Sequence, residues 1–194
     1  VSAPQVRGQY LGRAGRSLDT GANWVANDAV RKVGQGAEVR TGEALLENTK
    51  RGPSVINDLR IPIPGFKANI DHLVMHGNRI LLIDAKAWAG GVFWTVGGVT
   101  RRGMTMFPEA DKKTLPTAAG AIQRFLHKQG IGDFIVERPL LAVWNTTPVS
   151  FAAYRPAGDT RVVRGAMLSH WLKRHTKAQG ARPDIMVALA ALAN

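Results

Sequence analysis

A chain of 194 residues, 45% hydrophobic and 21% charged, is sized and composed for one globular domain with its own core. It has no cysteine, which excludes disulfides, thiolate metal sites, iron–sulfur clusters and cysteine nucleophiles, and a reducing, cytoplasmic setting fits. No run approaches the roughly 18 to 20 apolar residues of a membrane span, so no membrane partner is expected, and 26 Lys plus Arg against 14 Asp plus Glu, a net charge of +12, points to a polyanion, nucleic acid first.

The sequence begins at Val1, so either an initiator has been removed or this is a piece of a longer protein; the second reading is preferred. Residues 1–20 carry Arg7, Arg13 and Arg16 among Gly and Ser without the apolar run of a signal peptide, and are expected to form a loosely ordered basic segment. Residues 21–194 are then the domain. Over 21–50, Val30, Val33, Leu45 and Leu46 recur at a spacing that predicts a helix, with Leu45 and Leu46 inward and a break near Gly34. Ser54 to Ile61 is β-branched enough for a strand, closed by Pro62, Pro64 and Gly65. Two more runs, Ala68 to His76 and Arg79 to Trp88, are separated only by Gly77-Asn78, a two-residue hairpin signal. Gly90, Gly91, Gly97 and Gly98 punctuate a second hairpin, Val92 to Val96 and Val99 to Met104. Thr117 to Gln129 places Ala121, Ile122, Phe125 and Leu126 at helical spacing, and Pro139 to Asn145 reads as a buried strand. Phe151 to Tyr154 and Arg161 to Val163 are short strands, and Ala166 to His175 and Asp184 to Leu192 are helices. The layout is mixed α/β on one core, without internal repeats.

The first hairpin fixes a register. With Gly77 and Asn78 in the turn, His76 faces Arg79 and Asp71 falls opposite Asp84. Directly opposed residues hold their Cβ atoms about 4.5 to 5.5 Å apart on one face, and like charges there repel. Lys86, two residues beyond Asp84, shares that face. Three groups could neutralise the pair: Lys86, a shared proton or a divalent cation. Oxygen-only ligation suits Mg²⁺ or Mn²⁺ better than Zn²⁺.

These residues also carry a resemblance. Asn69-Ile70-Asp71-His72, followed by Ile83-Asp84-Ala85-Lys86-Ala87-Trp88-Ala89-Gly90, closely resembles the nuclease-related domain (NERD) family of the PD-(D/E)xK nuclease superfamily. The family's upstream helix bears a Gly-Glu. Gly36-Ala37-Glu38-Val39-Arg40-Thr41 fits it, with Ala37 in place of that Gly; Glu43, which follows Gly42, competes, and Glu38 is preferred for its distance to Leu45 and to Asp58-Leu59-Arg60-Ile61-Pro62. Gln123 is the nearest match to the Gln of the family's later helix, and the likeness runs over about residues 30 to 175.

The resemblance implies a restriction-endonuclease-like core, a mixed central sheet flanked by helices, here with an extra hairpin and a small C-terminal helical tail. It implies a metal-dependent DNA nuclease; low sequence specificity is expected because no helix-turn-helix, zinc finger or other base-reading module is visible in the sequence. Asp71, Asp84 and the Ala85 carbonyl would hold Mg²⁺ (Mn²⁺ substituting), with Glu38 touching it directly or through water. Lys86 would align the attacking water, and Gln123 would orient Lys86 or the scissile phosphate. Endonucleolytic and exonucleolytic cleavage both stay open. The alternative is a non-catalytic nucleic-acid-binding module that keeps the fold within a larger DNA-processing protein; a bacterial or mobile-element setting suits either.

Trp88 shares the face of Asp84 and Lys86, where it could stack on a base or close over the core. Arg101, Arg102, Lys112, Lys113, Arg124 and Lys128 flank the site in sequence as phosphate-contacting residues would. His72 points away from Asp71, so a buried role, bonded to a helix, is expected of it, whereas His76 is expected at the surface of the hairpin end. Trp94, Trp144 and Trp171 read as core.

Overall fold

The computed structural model describes residues 5–15, 28–145 and 147–193, the side chains of 28–31 excepted. Readings made over residues 1–4 and 16–27 lie outside the described residues. The first strand is β1 (Tyr10–Leu11), followed by α1 (Asp28–Thr49), β2 (Ser54–Arg60), β3 (Asn69–His76) and β4 (Arg79–Ala87). Then come β5 (Gly91–Val96), β6 (Val99–Arg102), β7 (Thr105–Met106) and α2 (Thr114–Lys128). The chain ends with β8 (Ile135–Val136), β9 (Leu140–Trp144), β10 (Val149–Ala153), β11 (Arg161–Arg164), α3 (Leu168–His175) and α4 (Pro183–Ala190).

The main sheet runs β1-β2-β3-β4-β9-β11, with β8 also on β4. Its centre, β2 to β4, is antiparallel, while β1 on β2, β8 and β9 on β4, and β11 on β9 are parallel. This is the mixed α/β architecture expected. Ile80-Leu81-Leu82-Ile83 is apolar without a break because β4 is buried on both faces. Leu81 and Ile83 meet Leu45 of α1 and Leu168 and Leu172 of α3. Ile80 and Leu82 meet Leu115, Ala118, Ile122 and Leu126 of α2 and Ile185 and Leu189 of α4. A second sheet, β10-β5-β6-β7, covers a third cluster built on Trp88, Phe93, Leu141, Val143 and Tyr154. The extra hairpin thus supplies its own small core beside the end of β4.

Several expectations are corrected. Of the segment expected to be loose, residues 5–15 are tied down. β1 pairs with β2, and Val6 and Ala181 exchange backbone hydrogen bonds of 2.8 and 2.7 Å. Gly34, Gly36 and Gly42 do not break α1. At Gly42 a Cβ would stand 2.7 Å from the Ala14 Cβ and 2.8 Å from the Tyr10 Oη, so this glycine lets the N-terminal segment cross the helix. Leu45 is buried but Leu46 is 49% exposed, since consecutive helical residues diverge by about 100° and only one can centre the stripe. His76 is buried rather than at the surface. Its Nε2 lies 3.1 Å from Glu137 Oε1 and the Lys177 N–H reaches its Nδ1, because residues 177–182 lie over the hairpin end. Trp94, Trp144 and Trp171 are half-buried, each under an arginine.

Candidate active site

The predicted register holds along β3 and β4, with pairs from His76–Arg79 to His72–Ile83. Asp71 and Asp84 occupy the next rung, where the backbone ladder stops. There the Asp71 carboxylate takes over a backbone role: its Oδ2 accepts the Ala85 N–H at 2.8 Å. Lys86 Nζ lies 2.6 Å from Asp84 Oδ2 and 3.5 Å from the Ala85 carbonyl oxygen. Of the neutralising groups left open by the sequence, Lys86 is the one the structure pairs with Asp84. The side chains of Asp84 and Lys86 are 14% and 38% exposed, so the rung opens to solvent on the lysine side.

Glu38 enters from α1 and is 8% exposed. Burial, then the nearby Asp71, pushes its carboxyl up to about 8 against the pull of Lys86; Asp84 and Asp58 add to the push. Burial raises Asp84 to about 6, opposed by Lys86 and assisted by Asp71. Asp71 is raised by burial too, against Lys86 and the Ala85 N–H. For Lys86, burial favours the neutral amine, but Asp84, Asp71 and Glu38 outweigh it and the net shift is upward. With these carboxylates ionised beside it, Lys86 is a cation, suited to hold a phosphate oxygen or donate to a water.

The competing Glu43 is exposed. Five residues from Glu38 turn it about 140° around α1. Gln123 is exposed on α2 and is not bonded to Lys86 or to the carboxylates, because Ala118, Ala121, Ile122 and Leu126 form the inward stripe. Trp88 is 7% exposed, stacked at 5.2 Å on Phe93 and edge-on to Phe107 and Tyr154, so it closes over the core and presents no ring to a base. Arg101 lies over Trp94 and donates to the Met104 carbonyl at 2.9 Å, Arg102 lies over Phe107, and Lys112, Lys113, Arg124 and Lys128 are exposed.

His72 does point away from Asp71, but its partner is a strand and not a helix: Nδ1 lies 2.8 Å from Asn57 Oδ1 on β2. Burial pushes this imidazole down to about 3, so it is neutral, and Nδ1–H donates to Asn57. One acid of the cluster escaped the sequence reading. Asp58, 5% exposed on β2, lies between the Asn57–His72 and Leu59–Ile70 pairs of the β2–β3 register and acts electrostatically on both Glu38 and Asp71. A single Asp inside the apolar run Val55 to Ile61 was its signal.

Among the described residues, no three His, Asp or Glu side chains converge as a ready metal cage. The donor chemistry nevertheless fits a hard divalent cation. Buried carboxylates outnumber the one ammonium beside them, and Lys86 already touches two of the oxygens a cation would use.

A family model described as nuclease-related domain, NERD, matches residues 33–136. That is just over half of the chain and contains every acid of the cluster. The chain belongs to the NERD family. No curated protein and no solved structure matches it. The match to the NERD model stops at the end of β8, so β9, which pairs Leu141 with Asp84 and Val143 with Lys86, lies outside it. No helix among the described residues is long and apolar enough to cross a membrane.

Proposed function

We propose that this NERD domain is a divalent-cation-dependent deoxyribonuclease of low sequence specificity. The observation that carries the reading is the placing of Asp71 and Asp84 on one rung, with Lys86 two residues on and bonded to Asp84, and Glu38 buried beside them. The Asp71 and Asp84 carboxylates and the Ala85 carbonyl would hold Mg²⁺, or Mn²⁺ in its place, with Glu38 as a direct or water-mediated ligand. Bound there, the cation supplies Lewis-acid stabilisation of charge on a phosphoryl oxygen.

The chain's own groups do the rest. Lys86 Nζ, 2.6 Å from Asp84 Oδ2, is placed to orient the attacking water in line with phosphorus or to hold a non-bridging oxygen. Gln123, outward on α2, suits contact with the scissile phosphate better than contact with Lys86. Arg101, Arg102, Lys112, Lys113, Arg124 and Lys128 would hold flanking phosphates. Phosphate contacts position a strand without reading its sequence, and no base-reading module is recognisable among the described residues.

Plasmid and single-stranded DNA incubated with Mg²⁺, Mn²⁺ or EDTA test this, with Asp84→Ala in parallel. Metal-dependent cutting lost in the variant supports the nuclease, and nicking of closed circles identifies it as endonucleolytic. DNA intact in every lane, with a salt-sensitive gel shift, would favour the non-catalytic binding module.

A further inference from the structure

The register that sets Asp71 beside Asp84 continues to the next strand. β2 and β3 pair Asn57 with His72 and Leu59 with Ile70, which places Asp58 opposite Asp71. Asp58, Asp71 and Asp84 therefore share one rung across three neighbouring strands, and the ladder pairing is interrupted at Asp58. Three like charges in a row repel.

Two features of Asp58 deal with that repulsion. Its backbone is left-handed, with φ 52°, inside a strand. Asp and Asn tolerate this region better than other non-glycine residues, and buried examples concentrate at functional sites. Its carboxylate is also drawn along the strand: Oδ1 accepts the Asn69 Nδ2–H at 2.8 Å. Asn69 is the diagonal neighbour, two residues before Asp71.

We propose that Asp58 and Asn69 are a positioning pair for the site. The kink at Asp58 interrupts the β2–β3 ladder, and Asn69 holds the third carboxylate away from Asp71. Asp71 is then left to accept the Ala85 N–H and to face a cation. The statement about the cation rests on the nuclease reading; the statement about Ala85 does not.

Four variants separate the parts: Asp58→Asn, which keeps the acceptor and the tolerance of the left-handed backbone; Asp58→Ala; Asn69→Ala; and the double alanine variant. Hydrogen exchange of the Ala85 amide is measured by NMR against the core amides of Leu81 and Leu82. Mg²⁺-dependent cleavage is measured as kcat and KM for DNA. Asp58→Ala and Asn69→Ala should each speed Ala85 exchange by about tenfold, the scale of one lost hydrogen bond, and lower kcat while KM stays put. The double variant should be no worse than Asp58→Ala alone, since Asn69 then has no carboxylate left to hold. Asp58→Asn should resemble the wild type in both measurements.

Asp58→Asn as damaged as Asp58→Ala would overturn the proposal, since charge alone would then matter. Unchanged Ala85 exchange in Asp58→Ala, with the core amides still protected, would overturn it as well. Should Asp58→Ala not fold, Asn69→Ala and Asp58→Asn decide by the same criteria. A wild-type protein that cuts no DNA would refute the nuclease reading, and the exchange measurements alone would then support or overturn the pair.

Discussion

Glu38→Gln should stabilise the cation-free protein in alkaline buffer and have no effect in acid. Glu38 is 8% exposed and its carboxyl is pushed from 4.5 to about 8 by burial and by Asp71. Between these values the folded protein keeps a proton that the unfolded chain has released. Stability therefore falls as pH rises from about 4.5 to about 8 and is level above that. At about 1.4 kcal/mol per pKa unit, the whole displacement corresponds to a ceiling of about 5 kcal/mol. Part of it belongs jointly to Asp71 and Asp84, and a buried amide must still find partners, so about 2 kcal/mol is expected at pH 9. For a chain of this length that raises Tm by roughly 4 to 8 °C. Thermal unfolding in EDTA at pH 4, 6, 7.5 and 9 gives the profile. A Tm difference that is constant with pH, or a destabilised variant at pH 9, would refute a buried acid held up by its neighbours.

Other expectations concern the frame around the site. Nothing lies within 4 Å of a Cβ placed at Gly36, whereas at Gly42 it would strike Ala14 and Tyr10. Gly36→Ala should add about 0.5 to 1 kcal/mol and Gly42→Ala should destabilise; equal effects in urea titrations would contradict the close crossing. Trp88→Ala should cost about 3 to 5 kcal/mol of stability while the variant, where folded, binds DNA as before. A selective loss of DNA affinity at unchanged stability would reinstate Trp88 as a base contact. Glu137 is pushed up by burial but pulled further down by His76 and Arg79, ending below its ordinary value. Its contribution is present above about pH 4.5 and fades as pH falls through the lowered value. Glu137→Gln should therefore cost about 1 to 2 kcal/mol at pH 7, allowing for the partial exposure of Arg79, with the gap narrowing as pH falls below 4.5. A gap that does not narrow on acidification below pH 4.5 would disprove the ion-pair account.

What the sequence could tell followed from how local the signal was. The Gly77-Asn78 turn fixes the rungs of β3 and β4 by counting, so Asp71, Asp84 and Lys86 were found from spacing alone. The same counting continues to Asp58, but β2 and β3 are joined by a longer connection rich in Pro and Gly, and no short turn sets their register. Glu38 was separable from Glu43 only by resemblance, since helical periodicity through Gly34, Gly36 and Gly42 is weak. Trp88 alternates onto the face of Asp84, and alternation cannot show that a second sheet covers it. His76 was misplaced for a similar reason, because its cover comes from residues about a hundred positions away. Gln123 followed a motif, yet the apolar stripe of α2 turns it outward.

The short turn between β3 and β4 has a further consequence, for the order of assembly. Hairpins close in about 1 to 10 μs, whereas parallel pairings such as β4 with β9 wait for a long crossover to be ordered. On these timescales Asp71 and Asp84 are expected to meet before β9 pairs with β4 and covers them. Because Lys86 lies on the same hairpin, the nascent unit carries its own counter-ion, and the repulsion is met within the segment that creates it.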